Sequence, residues 1–328
     1  MPTDQFSAGP AAAMQAAGHE AHPSHAGLPL TIELSHVRKT YADFVAVDDI
    51  SFAIPQGTVF GLLGPNGAGK TSTIRMMIGI TGPDSGTINV FGKPFERKSL
   101  EKIGYLPEER GLYKKMKILD QLIFLGELHG MSAEDARRKS IAWCERLDIA
   151  EKLQSKVEEL SKGMQQKIQF IAALLHEPDF VIMDEPFYGL DPVNAGLLKD
   201  VLLDLKRQGK TILFSTHRMD QVEKLCDSIC LIDRGRPVLQ GPLKQVKARF
   251  GKNHVQIEYE GNDEFLQQSQ LVKAYNNYGN YVEVRLAHGA DPQQLLRLVM
   301  ERSRVNRFEL MEPSLEEIFK EVVGKTDA

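Results

Sequence analysis

Gly64-Pro65-Asn66-Gly67-Ala68-Gly69-Lys70-Thr71 decides the fold, because it sets a phosphate-binding pattern between an apolar run and a helical one. The spacing from Gly64 to Gly69-Lys70-Thr71 fits G-x-x-x-x-G-K-[ST]. Val59 to Leu63 reads as the buried strand leading in, and Thr71 to Ile78 as the helix leading out. Glycines let backbone N–H groups turn inward around phosphate oxygens, and a helix N-terminus adds partial positive charge. Lys70 is placed as a point charge for the β- and γ-phosphates, and the Thr71 hydroxyl as a ligand for Mg²⁺. Pro65, Asn66, Gly67, Ala68 and the adjoining Ser72 are assigned to the same ligand, a nucleoside triphosphate.

A second half of the site is readable downstream. Phe180-Val181-Ile182-Met183 is a strand with no polar face, so it predicts burial on both sides, and Asp184-Glu185 emerge at its carboxyl end. Asp184 is suited to hold Mg²⁺ through water. Glu185 is suited to accept a proton from the attacking water or to orient it. Thr211 to Ser215 is another apolar strand, and His217 follows it on the same sheet edge, within reach of a γ-phosphate.

At 328 residues the chain exceeds one typical core and predicts about two domains. A formal charge of −4 with 26% charged residues describes an ordinary solvated surface and gives no whole-chain nucleic-acid footprint. Cys144, Cys226 and Cys230 are too few and too irregular for a disulfide framework, so a reducing compartment is expected. Cys226 and Cys230 read either as a metal or redox pair or as small apolar residues at a helix end and in the next strand. No apolar run approaches the length of a membrane span. Residues 1–28, rich in Ala, Gly, Pro and His, read as a disordered tail, in which His19, His22 and His25 are weak metal candidates because Pro23 breaks any helix aligning them.

Taken together, residues from about Ile32 to Gly241 resemble the ATP-binding cassette (ABC) family. Leu160-Ser161-Lys162-Gly163-Met164-Gln165-Gln166 looks like its signature motif, Asp191 in Gly189-Leu190-Asp191-Pro192 its D-loop, Tyr41 its adenine-stacking aromatic, and His217 its switch histidine. Simpler readings stand beside these. Ser161 is a good helix N-cap, Asp191 a good turn former before Pro192, and Tyr41 readable as a core aromatic with Phe44 competing for the adenine. Glu108 departs from the family's usual glutamine after Leu106-Pro107; it brings full negative charge and is assigned to the metal, against the reading of Glu108-Glu109 as a charged loop. Lys162 and Met164 also replace the usual signature residues, adding a positive charge near a γ-phosphate.

The resemblance implies an α/β fold: a P-loop NTPase cassette of mixed sheet over 30–242, with a helical subdomain at about 101–166, and a small α+β domain over 243–328. In the helical part Leu119 to Leu128 has helical spacing, and Ser132 with Asp135 predicts a capping box opening Ala136 to Leu147. Farther on, strands are expected at His254 to Tyr259, Tyr281 to Leu286 and near Phe308, with helices at Pro292 to Ser303 and Ser314 to Val323. Glu312-Pro313-Ser314-Leu315-Glu316-Glu317-Ile318-Phe319 resembles the tail of sodium, drug and daunorubicin-type exporter subunits; the appendage reads equally as a regulator, a dimer support or a cap on the core.

The family implies ATP and Mg²⁺, a head-to-tail homodimer with Ser161 and Gly163 of one chain over Lys70 of the other, and a separate membrane permease. Gly111-Leu112-Tyr113 and Lys114-Lys115 are candidates for touching that permease. Expected are an ATPase driving export from the inner face of the membrane, cytoplasmic and peripheral, and no nucleic-acid partner. The alternative is an ABC-type regulator of a complex such as the ribosome or DNA. Two cassettes joined by a basic linker would favour the ribosome and a coiled-coil insertion DNA, and neither is present in this sequence.

Overall fold

This computed structural model describes residues 28–109, 111–251, 253–287 and 289–323. The His-containing tail falls outside them. The chain opens with a long hairpin, β1 (Leu30–Tyr41) and β2 (Phe44–Pro55), whose inward residues Ile32, Leu34, Ile50 and Ile54 are fully buried. Next come β3 (Val59–Leu63), the glycine-rich loop, and α1 (Lys70–Met77). β4 (Ser85–Val90) and the short β5 (Lys93–Pro94) add to the hairpin, giving an antiparallel sheet of order β2-β1-β4-β5.

After β6 (Ile103–Leu106) the chain turns helical, with α2 (Ile118–Leu128), α3 (Ala133–Arg146) and α4 (Lys162–Leu174). It then alternates: β7 (Phe180–Asp184), α5 (Pro192–Arg207), β8 (Thr211–Thr216), α6 (Met219–Leu225), β9 (Ser228–Asp233) and β10 (Arg236–Pro242). The second sheet has order β10-β9-β3-β8-β7-β6, parallel throughout except for β10. Its strands are apolar on both faces because both faces are covered. Phe60 and Leu62 of β3 and Phe180 and Ile182 of β7 pack toward the first sheet and α1, whereas Val59, Leu63, Val181 and Met183 pack toward the helices. β3, β8 and β7 are neighbours, so the glycine-rich loop, His217 and Asp184-Glu185 leave the same sheet edge at adjacent carboxyl ends.

Beyond Pro242 lie α7 (Leu243–Arg249), β11 (His254–Glu260), α8 (Glu264–Gln267), β12 (Val272–Asn277), β13 (Val282–Leu286), α9 (Pro292–Arg302), β14 (Arg304–Met311) and α10 (Leu315–Val323). Their sheet, β12-β13-β11-β14, is antiparallel and has its own small core, including Val255, Ile257, Val284, Leu295 and Val299. α10 leaves that core: its Leu315 and Ile318 are buried in the cluster of the helical face.

Several boundaries differ from the sequence expectation. Ser132 is the N-cap itself, its hydroxyl accepting from Asp135 N, so α3 begins at Ala133 and not at Ala136. Lys70, Ile118 and Thr216 are each drawn into a neighbouring element by backbone hydrogen bonding, whereas Ser303 and Ser314 flank theirs. β12 and α8 were not expected from the sequence. Among the described residues no helix is long and apolar enough to cross a membrane.

Candidate functional site

The glycine-rich loop has the geometry its sequence demands. Gly69, at φ 107°, is the N-cap of α1, and a Cβ there would lie 2.4 Å from Ala46 O. Gly64, at φ 149°, would place one 2.1 Å from Ile232 O. Any side chain at either position collides with backbone, and both are in φ regions that L-residues avoid. Ala68 O accepts from Gly235 N at 3.0 Å and Ala68 N donates to Pro65 O at 3.2 Å, so the loop is pinned both from outside and within itself.

Lys70 is 6% exposed, and its ammonium donates to the carbonyls of Gly64 at 2.8 Å and Pro65 at 3.0 Å. Burial lowers its pKa, opposed by the charges of Glu185, Asp184 and Glu108. Those opposing charges bring three acids from two separate strand ends to one lysine. Thr71 Oγ1 donates to Asp184 Oδ2 at 2.8 Å, and Ser215 Oγ donates to Asp184 Oδ1. Asp184 is 1% exposed, so a hydroxyl and a held carboxylate meet at the foot of the phosphate loop.

Glu185 sits just past β7 with φ 49°, in the left-handed region. Its carboxylate accepts from Thr216 Oγ1 at 3.0 Å on one oxygen, and from His217 N at 3.0 Å and His217 Nδ1 at 2.6 Å on the other. The contact through Nδ1 fixes the orientation of the imidazole against Glu185. Glu108 is exposed after β6, and its carboxyl is raised by lost hydration and then by Asp184 and Glu185. Nearby, burial pushes the Tyr105 phenol up to about 12, with Asp184 adding to it.

These oxygens fit a hard divalent cation such as Mg²⁺: Thr71 and Asp184 are already in contact, and Glu108 shares their field. Among the described residues no three His, Cys, Asp or Glu side chains form a cage for a metal. An ion held by one or two protein groups, with phosphate oxygens and water supplying the rest, is the Mg²⁺ habit.

Other candidates are placed as follows. Tyr41 ends β1 opposite Phe44, and they are 39% and 63% exposed, which corrects the reading of Tyr41 as a core aromatic. The exposure arises because both rings stand at the tip of the hairpin, whose β2 passes Ala46 against Gly69. The Lys39 ammonium lies 5.6 Å from the centre of the Tyr41 ring. Ser161 caps α4, its hydroxyl accepting from Met164 N at 3.3 Å, and Gly163 presents open space except toward Leu190. Asp191 caps α5, accepting from Val193 N and Asn194 N at 3.0 Å each, bonds that hold its carboxyl below the usual range. Both capping readings therefore hold, and both residues remain exposed.

Cys226 ends α6 and Cys230 lies in β9; burial raises both thiols, the state of small apolar packing residues. Sequence reasoning missed Ser215 and Thr216, which hold Asp184 and Glu185. Their signal was two hydroxyls closing an apolar strand immediately before His217.

Residues 47–188 match the family model described as ABC transporter, and 241–323 match that of the ATP-binding protein DrrA1-3-like C-terminal domain. The chain is 46% identical over 293 residues to the uncharacterized ABC transporter ATP-binding protein YhaQ of Bacillus subtilis, covering 89% of this chain and 98% of that one. It is 33% identical over 304 residues to the Nod factor export ATP-binding protein I of Rhizobium sp. strain N33, covering 90% and 98%. Among solved structures, an ATP-binding subunit of an ABC transporter superposes with a TM-score of 0.63 at 30% identity, covering 67% of this chain and 93% of that one.

Proposed function

Because the chain belongs to the ABC transporter family as an ATP-binding, ATP-hydrolysing subunit, we propose that it powers export by a separate membrane permease through ATP-driven dimerisation. The observation that carries the mechanism is the convergence of Lys70, Thr71, Asp184, Glu185 and His217 at adjacent strand ends. In the relatives named above the printed functions concern transport and Nod factor export, which favours transport over a role on the ribosome or DNA.

The loop from Gly64 to Gly69, through its N–H groups other than at Pro65, and the Lys70 ammonium grip the phosphates, with Thr71 and Ser72 at the helix start. Thr71 and Asp184 would hold Mg²⁺, joined by Glu108, and the ion would supply positive charge against the phosphates. Glu185 takes the proton of the attacking water as its oxygen bonds to the γ-phosphorus and the bond to the β-phosphate oxygen breaks. His217 keeps Glu185 aimed through Nδ1, and its Nε2 can donate to the γ-phosphate at the same time only in the imidazolium form. An exposed aromatic at the hairpin tip, Tyr41 in preference to Phe44, stacks on the adenine.

Ser161 and Gly163 complete the site of a second copy, joined by Asp191. Two features support this arrangement: Ser161 is exposed, and α4 packs its far end against β6, three strands from β3 and so about 14 Å away. The cassette spans 30–242, with a helical subdomain at about 101–166 and an accessory domain from 243. Tyr113 and Phe124, edge to face at 6.1 Å, line a surface cavity of about 720 Å³ with Lys114, Lys115 and Met116, a candidate seat for the permease at the inner face of the membrane.

Glu185→Gln is the test. Binding should persist while hydrolysis falls by about 10²–10⁴-fold, and ATP with Mg²⁺ should shift the chain from monomer to dimer in sedimentation. Wild-type turnover would remove Glu185 from the mechanism, and a monomer at saturating ATP would remove the head-to-tail dimer.

A further inference from the structure

The helix that carries Ser161 does more than present its N-terminus. Three residues apart on one face of α4, Gln166 and Gln169 are each only 5% exposed. Gln166 Nε2 donates to Pro186 O at 3.2 Å, and Gln169 Nε2 donates to Glu109 O at 3.3 Å. Pro186 directly follows Glu185, and Glu109 directly follows Glu108. One rigid helix therefore holds, through two buried amides, the backbone beside the water-activating carboxylate and the backbone beside the third acid of the site.

A buried amide N–H is costly unless bonded, so each Nε2 is committed to its carbonyl, while the buried Gln169 Oε1 has no hydrogen-bond partner among the described residues. The held segments are the ones with little freedom to spare. Glu185 is fixed by its N–H to Ser215 O at 3.0 Å and by its left-handed φ, so a shift at Pro186 must turn its carboxylate. From Ser161 the helix rises about 8 Å to Gln166 and about 12 Å to Gln169, distances over which a helix moves as a rod.

We propose that Gln166 and Gln169 are positioning residues that relay engagement of Ser161 by the partner's nucleotide to Glu185 and Glu108 of the same chain, coupling hydrolysis at the two sites. The relay rests on the head-to-tail reading. Each site would then be readied by occupation of the other, so hydrolysis should depend cooperatively on ATP.

The test uses the full chain with Gln166→Met, Gln169→Met, Ser161→Ala and the double Ser161→Ala/Gln166→Met. Methionine keeps length and removes the donor. Each glutamine variant should bind nucleotide within about twofold of wild type, lose about tenfold in kcat, and bring the Hill coefficient for ATP from above 1 toward 1. The double variant should cost no more than its worse single, the signature of one pathway. Multiplicative costs in the double, a wild-type Hill coefficient of 1, or unchanged kcat in both glutamine variants would overturn the relay. If Gln169→Met fails to fold, Gln166→Met and the double decide alone. Failure of Glu185→Gln to dimerise would instead sink the underlying dimer, so the two failures are told apart.

Discussion

Gly69 concentrates the steric logic of the site, since its φ of 107° and the 2.4 Å approach of a Cβ to Ala46 O exclude any other residue. Gly69→Ala should force the loop off the hairpin, costing about 1–3 kcal/mol in strain and more than tenfold in nucleotide affinity, measured by melting and by titration. An alanine variant that binds as wild type would show that loop shape does not limit binding. Glu108 gives a second expectation. Exchanging its carboxylate for a neutral amide through Glu108→Gln should raise the Mg²⁺ concentration needed for half-maximal hydrolysis by about three- to tenfold, while leaving turnover at saturating Mg²⁺ measurable. An identical Mg²⁺ profile would return Glu108 to a charged loop. Lys70, Asp184, Glu185 and His217 were legible because motif spacing and strand ends place them together. Gln166 and Gln169 were not, because their partners lie 20 and 60 residues away and are backbone carbonyls, which no side-chain pattern announces.

At the scale of elements, the C-terminal ends of α2 and α4 meet through His129 and His176, whose rings stack at 3.8 Å and 6° beside β6. His176 Nε2 bonds Ile103 O at 3.1 Å, and burial followed by the neighbouring His129 pulls its pKa down to about 4. Lys139 and Lys210 also face it and act in the same direction. A folded pKa below the unfolded value of 6.5 means that the unfolded chain takes up the proton first. The contribution is therefore present above pH 6.5 and is lost as pH falls toward 4. After allowance for partial exposure, about 1–2 kcal/mol should disappear across that window. His176→Phe keeps a flat ring and removes the titration, so its stability should fall less between about pH 7 and pH 4.5 in denaturant unfolding; parallel curves would discount the pair. The same scale explains what the sequence hid. β7 and β8 were plain because both faces are buried, whereas β12, Val272-Lys273-Ala274-Tyr275-Asn276-Asn277, has no buried residue and lacks the alternation that marks a strand. It forms because β13 offers a pairing edge, a tertiary cause that local pattern does not carry.

For the whole molecule the sequence left the appendage equally readable as a regulator, a dimer support or a cap on the core, and α10 bears on the last of these. Its Leu315 and Ile318 are 3% and 1% exposed, in the same apolar cluster as Val222 and Leu225 of α6. Glu223 of α6 accepts from Leu315 N at 2.7 Å and from Lys247 at 3.1 Å, so a single carboxylate caps α10 and ties α7 to it. On its other side α10 meets the C-terminal sheet: Glu321 pairs with Arg285, and Glu317 lies 3.0 Å from His254 Nε2, outside hydrogen-bond alignment. α10 is thus the staple between the small sheet and a helix that begins two residues after His217, which favours the cap. Ile318→Asp places an unpaired carboxylate in that cluster, at a cost of about 3–5 kcal/mol if the helix stays docked, so undocking becomes the cheaper outcome. The small sheet keeps its own core of Val255, Ile257, Val284 and Leu295, and should then melt separately from the cassette. Calorimetry should resolve one cooperative transition in the wild-type chain into two in the variant, with nucleotide still raising the melting temperature of the cassette transition. A single unshifted transition would mean that α10 contributes little to holding the two parts together.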